Sequence, residues 1–179
     1  MEILNEARKG YVHVYTGDGK GKTTAALGLV LRAVGAGYRV LIVQFMKGTV
    51  YSEIKALDAL GENVEVKQYG RSECFVGKQP SREDSDWAAR GLQEAIVALR
   101  TRQYDLVVLD ELAVAQRFNL VTVEDVMVLL KERPSETEVV ITGRWAHPAI
   151  VAQADLVTEM REVKHYYQTG VLARTGIER

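Results

Sequence analysis

A short stretch near the start of the sequence combines the residue types that bind phosphate groups. It runs Thr16-Gly17-Asp18-Gly19-Lys20-Gly21-Lys22-Thr23-Thr24. Glycines let backbone N–H groups approach phosphate oxygens closely, a lysine adds a full positive charge, and a threonine hydroxyl can bind a phosphate-bound Mg²⁺ ion. The sequence therefore predicts a nucleotide-binding loop. Its predicted nucleotide-binding residues are Gly17, Asp18, Gly19, Lys20, Gly21, Lys22, Thr23 and Thr24.

The spacing of this loop differs by one residue from the common pattern G-x-x-x-x-G-K-[ST]. That pattern would place its first glycine where this chain has Thr16, and Gly17 follows one position later. A glycine-rich turn without a ligand is the alternative interpretation. A strand before the loop and a helix after it favour phosphate binding, because the helix N-terminus adds about half a positive charge.

A second group of candidate residues follows an apolar run at positions 106–109. Asp110 and Glu111 come directly after this run. A charged group at the end of a buried strand is unfavourable unless it has a partner, and a divalent cation would supply one. The sequence therefore predicts that Thr23, Asp110 and Glu111 hold Mg²⁺ or Mn²⁺. For Glu111 two alternatives stay open, which are capping of the following helix and simple exposure to solvent.

The elements that would position these residues alternate between strands and helices. Apolar and β-branched runs predict strands at 11–15, 40–43, 64–66, 106–109 and 139–142, and a last strand is indicated at 156–160. Helices are predicted at 24–34, from a capping box at Ser81 to about residue 100, and from a second capping box at Thr122 to about residue 132. This alternation predicts an α/β fold of the P-loop NTPase-like (RecA-like) kind, with a mostly parallel sheet and helices on both faces.

Composition narrows the class of protein. The length of 179 residues and a hydrophobic share of 47% fit one domain that spans residues 1–179. The 23 basic and 24 acidic residues nearly cancel, which argues against a nucleic-acid partner or an anionic membrane surface. The one cysteine, Cys74, cannot form an internal disulfide, and no apolar run approaches the ~20 residues of a membrane span. A cytoplasmic protein is expected.

Further motifs occur in order along the chain, at residues 43–48, 108–112, 141–144, 163–165 and 170–178. Together with the phosphate loop they closely resemble the cob(I)yrinic acid a,c-diamide adenosyltransferases, which are the P-loop type of corrinoid adenosyltransferase. The resemblance extends from Gly10 to the C-terminus, and the shifted phosphate loop is that family's own form of the motif. It implies that Arg144, in the third of these stretches, also contacts the nucleotide.

The resemblance implies an activity. In this family the Co(I) of a corrinoid, cob(I)alamin or cob(I)yrinic acid a,c-diamide, attacks the ribose 5′-carbon of ATP and expels triphosphate, in adenosylcobalamin biosynthesis or salvage. It also implies that Lys22 and Lys20, together with Mg²⁺, stabilise the negative charge that grows on the leaving triphosphate. A flavin-type reductase that supplies electrons and a homodimer are implied as well. Two alternatives remain open on the residues alone: a P-loop ATPase or kinase, and an ATP-gated corrinoid carrier without catalysis.

The sequence departs from the family pattern at several places. Asp18 stands where the family commonly has asparagine. An aromatic pair helps to displace the lower axial base of the corrinoid in the family; Phe75 matches its first position, but Gly77 occupies the second. Phe75 is therefore the expected corrinoid contact, and the rest of that pocket must be built differently. Several relatives carry a longer N-terminal helix that closes over the site, whereas only residues 1–9 precede Gly10 and the first strand here, so closure by that helix is left open.

Overall fold

A six-stranded sheet, in the order β3-β2-β4-β5-β1-β6, forms the centre of the molecule. The computed structural model describes residues 8–71 and 79–178. All pairings between neighbouring strands in the sheet are parallel. The strands are β1 (Val12–Thr16), β2 (Val40–Phe45), β3 (Val64–Tyr69), β4 (Leu106–Asp110), β5 (Glu138–Thr142) and β6 (Leu156–Glu159). Every predicted strand is present, and the predicted α/β fold with a parallel sheet is confirmed.

Helices connect the strands. They are α1 (Lys22–Gly35), α2 (Ser52–Asp58), α3 (Arg82–Thr101), α4 (Leu112–Arg117), α5 (Val123–Lys131) and α6 (Pro148–Gln153), with 3-10 turns at Gly61–Asn63 and Tyr166–Thr169. The three predicted helices correspond to α1, α3 and α5. A helix after Glu111 was anticipated without bounds and corresponds to α4, whereas α2 and α6 were not predicted; these three helices have only 6, 7 and 6 residues. Helices this short contain too few turns to show a helical period.

The core lies in two layers, one on each face of the sheet. Alternate residues of the central strands point to opposite faces, as the period of a strand requires. Ile42 and Val108 pack with α1 and α2 on one face, whereas Val43 and Leu109 pack with α3, α4, α5 and α6 on the other. Strands that are apolar on both faces produce the continuous apolar runs seen in the sequence. Within the described part of the chain, no helix is long and apolar enough to cross a membrane.

The parallel sheet brings several strand ends to the same edge. Gln44 of β2 pairs in register with Asp110 of β4, and Thr142 of β5 pairs with Tyr15 of β1. The residues that follow β2, β4, β5 and β1 therefore lie side by side beyond the carboxyl ends of these strands. Sheets of this kind bind their ligands at this edge.

The start of α3 is joined to the end of β3 by a buried carboxylate. Ser81 and Asp84 form the predicted capping box, and Arg71 donates two hydrogen bonds to the Asp84 carboxylate at 2.8 and 2.7 Å. Only 6% of Asp84 is exposed. Burial would raise the pKa of Asp84, but the hydrogen bonds from Arg71 and Ser81 outweigh it and hold the pKa below its ordinary value.

We predict that Asp84→Asn lowers the free energy of unfolding by about 1–3 kcal/mol at pH 7, because a charged cap and a charged pair are lost together. Since the folded pKa is depressed, this contribution is complete above the unfolded pKa of about 3.9 and is lost as the pH falls through the folded pKa. Urea unfolding of both proteins between pH 7 and pH 2.5 measures the difference. Asp125→Asn, in the exposed capping box of α5, is the control and should cost less. A loss for Asp84→Asn that stays constant down to the lowest pH would contradict the assignment.

Candidate functional site

The phosphate loop joins β1 to α1 and wraps around the side chain of Lys22. Gly17 and Gly21 have φ angles of 93° and 117°, which lie in the left-handed region that favours glycine. The Lys22 ammonium donates to the main-chain oxygens of Gly17 and Gly19, at 2.7 Å each. Lys22 is only 7% exposed. The loop therefore lies between a strand and a helix as predicted, with its lysine held inside it.

Charged groups of both signs act on the Lys22 ammonium. Burial lowers the pKa of Lys22, and repulsion from Arg144 lowers it further, whereas the carboxylates of Glu111 and Asp18 oppose this shift. Arg144 follows β5 and is exposed. The structure thus brings Arg144 into the electrostatic range of the phosphate loop, and its contact with a nucleotide stays a prediction.

The carboxylate of Asp110 accepts four side-chain hydrogen bonds at this edge of the sheet. It is 1% exposed. Its Oδ1 accepts hydrogen bonds from the hydroxyls of Thr23 and Thr142 at 2.8 and 2.7 Å. Its Oδ2 accepts from the Gln44 amide at 3.1 Å and from the Lys47 ammonium at 2.7 Å. Burial would raise the pKa of Asp110, but the charge of Lys47 and these hydrogen bonds lower it.

Sequence reasoning predicted Thr23 and Asp110 at this site but not Gln44, Lys47 and Thr142. All three missed residues lie at or just beyond the carboxyl end of a strand, in the stretches 43–48 and 141–144 that carried the resemblance. Each of them is a polar residue at the end of an apolar strand. Because the carboxyl ends of parallel strands meet at one edge of the sheet, this pattern could have predicted that they lie at the site.

Glu111 adopts an unusual backbone conformation. Its φ is 62°, it occupies the N-cap position of α4, and its side chain makes no capping hydrogen bond. Its N–H donates to the Thr142 hydroxyl at 2.9 Å. The open alternative in which its carboxylate caps α4 is therefore not realised. Burial raises the pKa of Glu111, and the neighbouring Asp110 raises it further.

Left-handed residues recur along the same edge of the sheet. Met46 follows β2 with a φ of 58°, Glu111 follows β4 with 62°, and Trp145 lies just after β5 with 58°. Such conformations cost about 1–3 kcal/mol each for residues other than glycine and cluster at functional sites. Together with Gly17 after β1, they mark four neighbouring strand ends, which supports a functional site at this edge.

Comparison with known proteins shows which family the chain belongs to. The family described as ATP:corrinoid adenosyltransferase BtuR/CobO/CobP matches residues 8–179. The chain belongs to this family. It is 41% identical to the corrinoid adenosyltransferase of Escherichia coli strain K12 over 172 residues, which cover 95% of this chain and 86% of that protein. It is 39% identical over 175 residues to the corrinoid adenosyltransferase CobA of Salmonella typhimurium, with coverage of 97% and 87%. The corrinoid adenosyltransferase of Pseudomonas aeruginosa is 36% identical over 180 residues, with coverage of 99% and 88%.

In this member of the adenosyltransferase family, the C-terminal segment lies against the phosphate loop. The N–H of Gly19 donates to the main-chain oxygen of Met160 at 2.7 Å. The ammonium of Lys20 donates to the main-chain oxygen of Ile177 at 2.9 Å. Lys20 is exposed and bound to a carbonyl here, so its predicted contact with phosphate stays a prediction. The family motif at 170–178 therefore contacts the phosphate loop directly.

The oxygen donors at the site fit Mg²⁺. The side chains of Thr23 and Glu111 offer hydroxyl and carboxylate oxygens, which this ion prefers, and the buried Asp110 carboxylate adds negative charge beside Thr23. No group of three or more His, Cys, Asp and Glu side chains suited to a metal occurs among residues 8–71 and 79–178. Mg²⁺ commonly takes only one or two protein ligands and completes its shell with substrate phosphates and water.

The corrinoid side of the site rests on the resemblance. Phe75, the predicted corrinoid contact, lies outside the described residues, and so do Gly77 and Cys74. The chain leaves the described region after Arg71 and returns at residue 79, just before the N-cap of α3 at Ser81. Arg71 and Ser81, one on each side of this segment, both donate hydrogen bonds to the Asp84 carboxylate.

We predict that Gly17→Ala disrupts the loop even without a ligand. A Cβ there would lie 2.4 Å from the Met160 main-chain oxygen, at a φ of +93°. The free energy of unfolding should fall by about 1–3 kcal/mol, and ATP binding measured by calorimetry should weaken. Gly28→Ala in α1 is the control, since nothing lies within 4 Å of its Cβ; alanine should stabilise that helix by about 0.5–1 kcal/mol. Equal effects of the two substitutions would contradict this description of the loop.

Proposed function

We propose that this chain transfers the 5′-deoxyadenosyl group of ATP to the Co(I) of a corrinoid, with release of triphosphate. The observation that carries the proposal is the family match over residues 8–179, which includes the phosphate loop around Lys22. The cobalt donates an electron pair, the bond between cobalt and C5′ forms, and the C5′–O bond breaks. The triphosphate leaves with the electrons of that bond. The corrinoid is cob(I)alamin or cob(I)yrinic acid a,c-diamide, which places the reaction in adenosylcobalamin biosynthesis or salvage.

This chemistry asks for positioning and charge stabilisation rather than acid–base catalysis. The nucleophile arrives with the substrate, so no side chain has to be deprotonated to create it. The protein must hold C5′ in line with the cobalt and stabilise the charge that grows on the departing triphosphate. The loop amides, the N-terminus of α1 and the Lys22 ammonium are suited to that task. We include Lys20, Thr24 and Arg144 among the nucleotide contacts.

We propose that Mg²⁺, or Mn²⁺ in its place, accompanies the triphosphate. The Thr23 hydroxyl would bind the ion. The carboxylates of Asp110 and Glu111 would add negative charge close to it. When bound, the ion neutralises charge on the phosphate oxygens. The hydrogen bond of 2.8 Å from Thr23 to Asp110 supports this arrangement, because it turns the lone pairs of the hydroxyl oxygen away from the carboxylate.

Partners beyond ATP and the corrinoid are part of the proposal. Cobalt must be reduced to Co(I) before it attacks, and a flavin-type reductase is the proposed electron donor. A homodimer is supported by the exposed apolar surface around β6. This edge strand has all four residues exposed, and the segment after it exposes Val163, Tyr167 and Leu172 by 95%, 69% and 75%.

We retain Phe75 as the proposed corrinoid contact, and the cytoplasmic setting and the single domain of residues 1–179 stay predictions.

A product assay with pre-reduced cob(I)alamin, ATP and Mg²⁺ tests the reaction. Adenosylcobalamin is followed by absorbance and the phosphate products by anion-exchange chromatography. We expect one triphosphate for each adenosylcobalamin formed, and no turnover of ATP without corrinoid. Phosphate or ADP formed without corrinoid would identify an ATPase or kinase. Binding of both ligands without any product would identify a carrier.

We predict that Lys22→Ala lowers the turnover number about 10²- to 10³-fold, because a preorganised positive charge beside the leaving triphosphate is removed. The same assay measures it, and circular dichroism verifies folding. Lys131→Ala, in the last turn of α5 and exposed, is the matched control and should retain normal turnover. A folded Lys22→Ala variant with near-normal adenosylation would overturn the assignment of this loop.

A further inference from the structure

Lys47 is the positively charged side chain that contacts the Asp110 carboxylate. It follows Met46, whose left-handed backbone turns the chain at the end of β2. Its ammonium lies 2.7 Å from Oδ2 of Asp110, and its side chain is 18% exposed. It also lies 5.8 Å from the centre of the Tyr51 ring. The role proposed above for the phosphate loop, Asp110 and Glu111 makes no use of Lys47.

The hydrogen bonds around Asp110 leave little room for a metal ion. A carboxylate offers about four lone-pair positions, and those of Asp110 receive hydrogen bonds from the side chains of Thr23, Thr142, Gln44 and Lys47. Of these donors, Gln44 and Thr142 are fully buried and neutral. Lys47 is the charged one, and it occupies the side of the carboxylate opposite the two hydroxyls.

The charge around Lys47 resembles that of a cation site. Asp110 is in direct contact with the ammonium, and the carboxylates of Glu111 and Glu53 act on it as well. All three carboxylates attract the positive charge of the Lys47 ammonium. The Lys47 ammonium therefore lies where several negative charges converge.

We propose that Lys47 is a positioning residue that occupies the cation position on Asp110 and keeps this carboxylate from binding the metal ion directly. The proposal rests on the function proposed above and refines its metal site. With Oδ2 held by Lys47, Oδ1 accepts the hydrogen of the Thr23 hydroxyl, and the oxygen of Thr23 is left as the ligand that faces the triphosphate. Asp110 then acts through Thr23.

The proposal has a consequence for the protein without nucleotide. If Lys47 fills a cation position, removal of its charge opens that position to a divalent ion. Lys47→Gln keeps a long polar side chain but leaves the buried Asp110 charge without a counter-ion, which is unfavourable. A divalent cation from solution would then bind beside Asp110, although neither ATP nor corrinoid is present.

The test is a titration of the nucleotide-free protein with Mn²⁺, in which electron paramagnetic resonance measures the free ion. We expect Lys47→Gln to bind one Mn²⁺ per chain about 10- to 100-fold more tightly than the wild type, the scale on which neighbours of a ligand change metal affinity. Lys47→Arg retains the charge and should behave as the wild type does. Addition of Asp110→Asn to Lys47→Gln should abolish the gain. No gain in a folded Lys47→Gln variant, or a gain that survives Asp110→Asn, would overturn the proposal.

Folding of the variants gives a second readout. If Lys47→Gln does not fold, the double variant Lys47→Gln with Asp110→Asn should fold, because neither buried charge remains. A double variant that stays unfolded while Asp110→Asn alone folds would contradict the proposal. The titration contains no ATP and no corrinoid, so its outcome is independent of whether the chain transfers an adenosyl group. The product assay above tests that function separately.

Discussion

The buried Asp110 carboxylate is the interaction on which the geometry of the site depends. Its donors come from the strand end and following turn of β2, from the first turn of α1 and from the end of β5. One side chain therefore sets the distances between three strand ends and the helix that carries the phosphate loop. A buried charge is unfavourable unless it is paired and hydrogen-bonded. Because every acceptor position is used, the cost of burial is offset and the group has one defined orientation.

The phosphate loop is constrained from a second direction by the C-terminal segment. A Cβ on Gly19 would lie 2.8 Å from main-chain atoms of Met160 and Arg161, so glycine is required there by the protein's own backbone. The glycine pattern is commonly explained by close approach of phosphate alone. Here the same residues also allow the chain after β6 to pack on the loop, and the contact of Lys20 with Ile177 extends that packing to the end of the described chain. The loop and the C-terminal motif therefore have to be considered as one unit.

Local signals in the sequence predicted most of the fold but only part of the site. Both capping boxes and the apolar runs specify their elements through neighbouring residues, and these predictions are confirmed. The partners of Asp110 are different, because Lys47 is 63, Gln44 is 66 and Thr142 is 32 residues away from it. They meet only because the sheet order places β2 and β5 on either side of β4. That order is decided by packing of the whole sheet, and the spacing of residues along the chain does not contain it.

Lys47 and Lys22, two of the lysines at the site, differ in what neutralises their charge. Lys47 is paired with a carboxylate at 2.7 Å, so its charge is compensated within the protein. Lys22 instead donates to two neutral main-chain oxygens. Carbonyl oxygens stabilise an ammonium group without cancelling its charge, and burial removes water that would screen it. A leaving triphosphate would therefore experience the field of Lys22 much more strongly than that of Lys47. One lysine maintains the architecture around Asp110, and the other remains available to the charge that develops during the transfer.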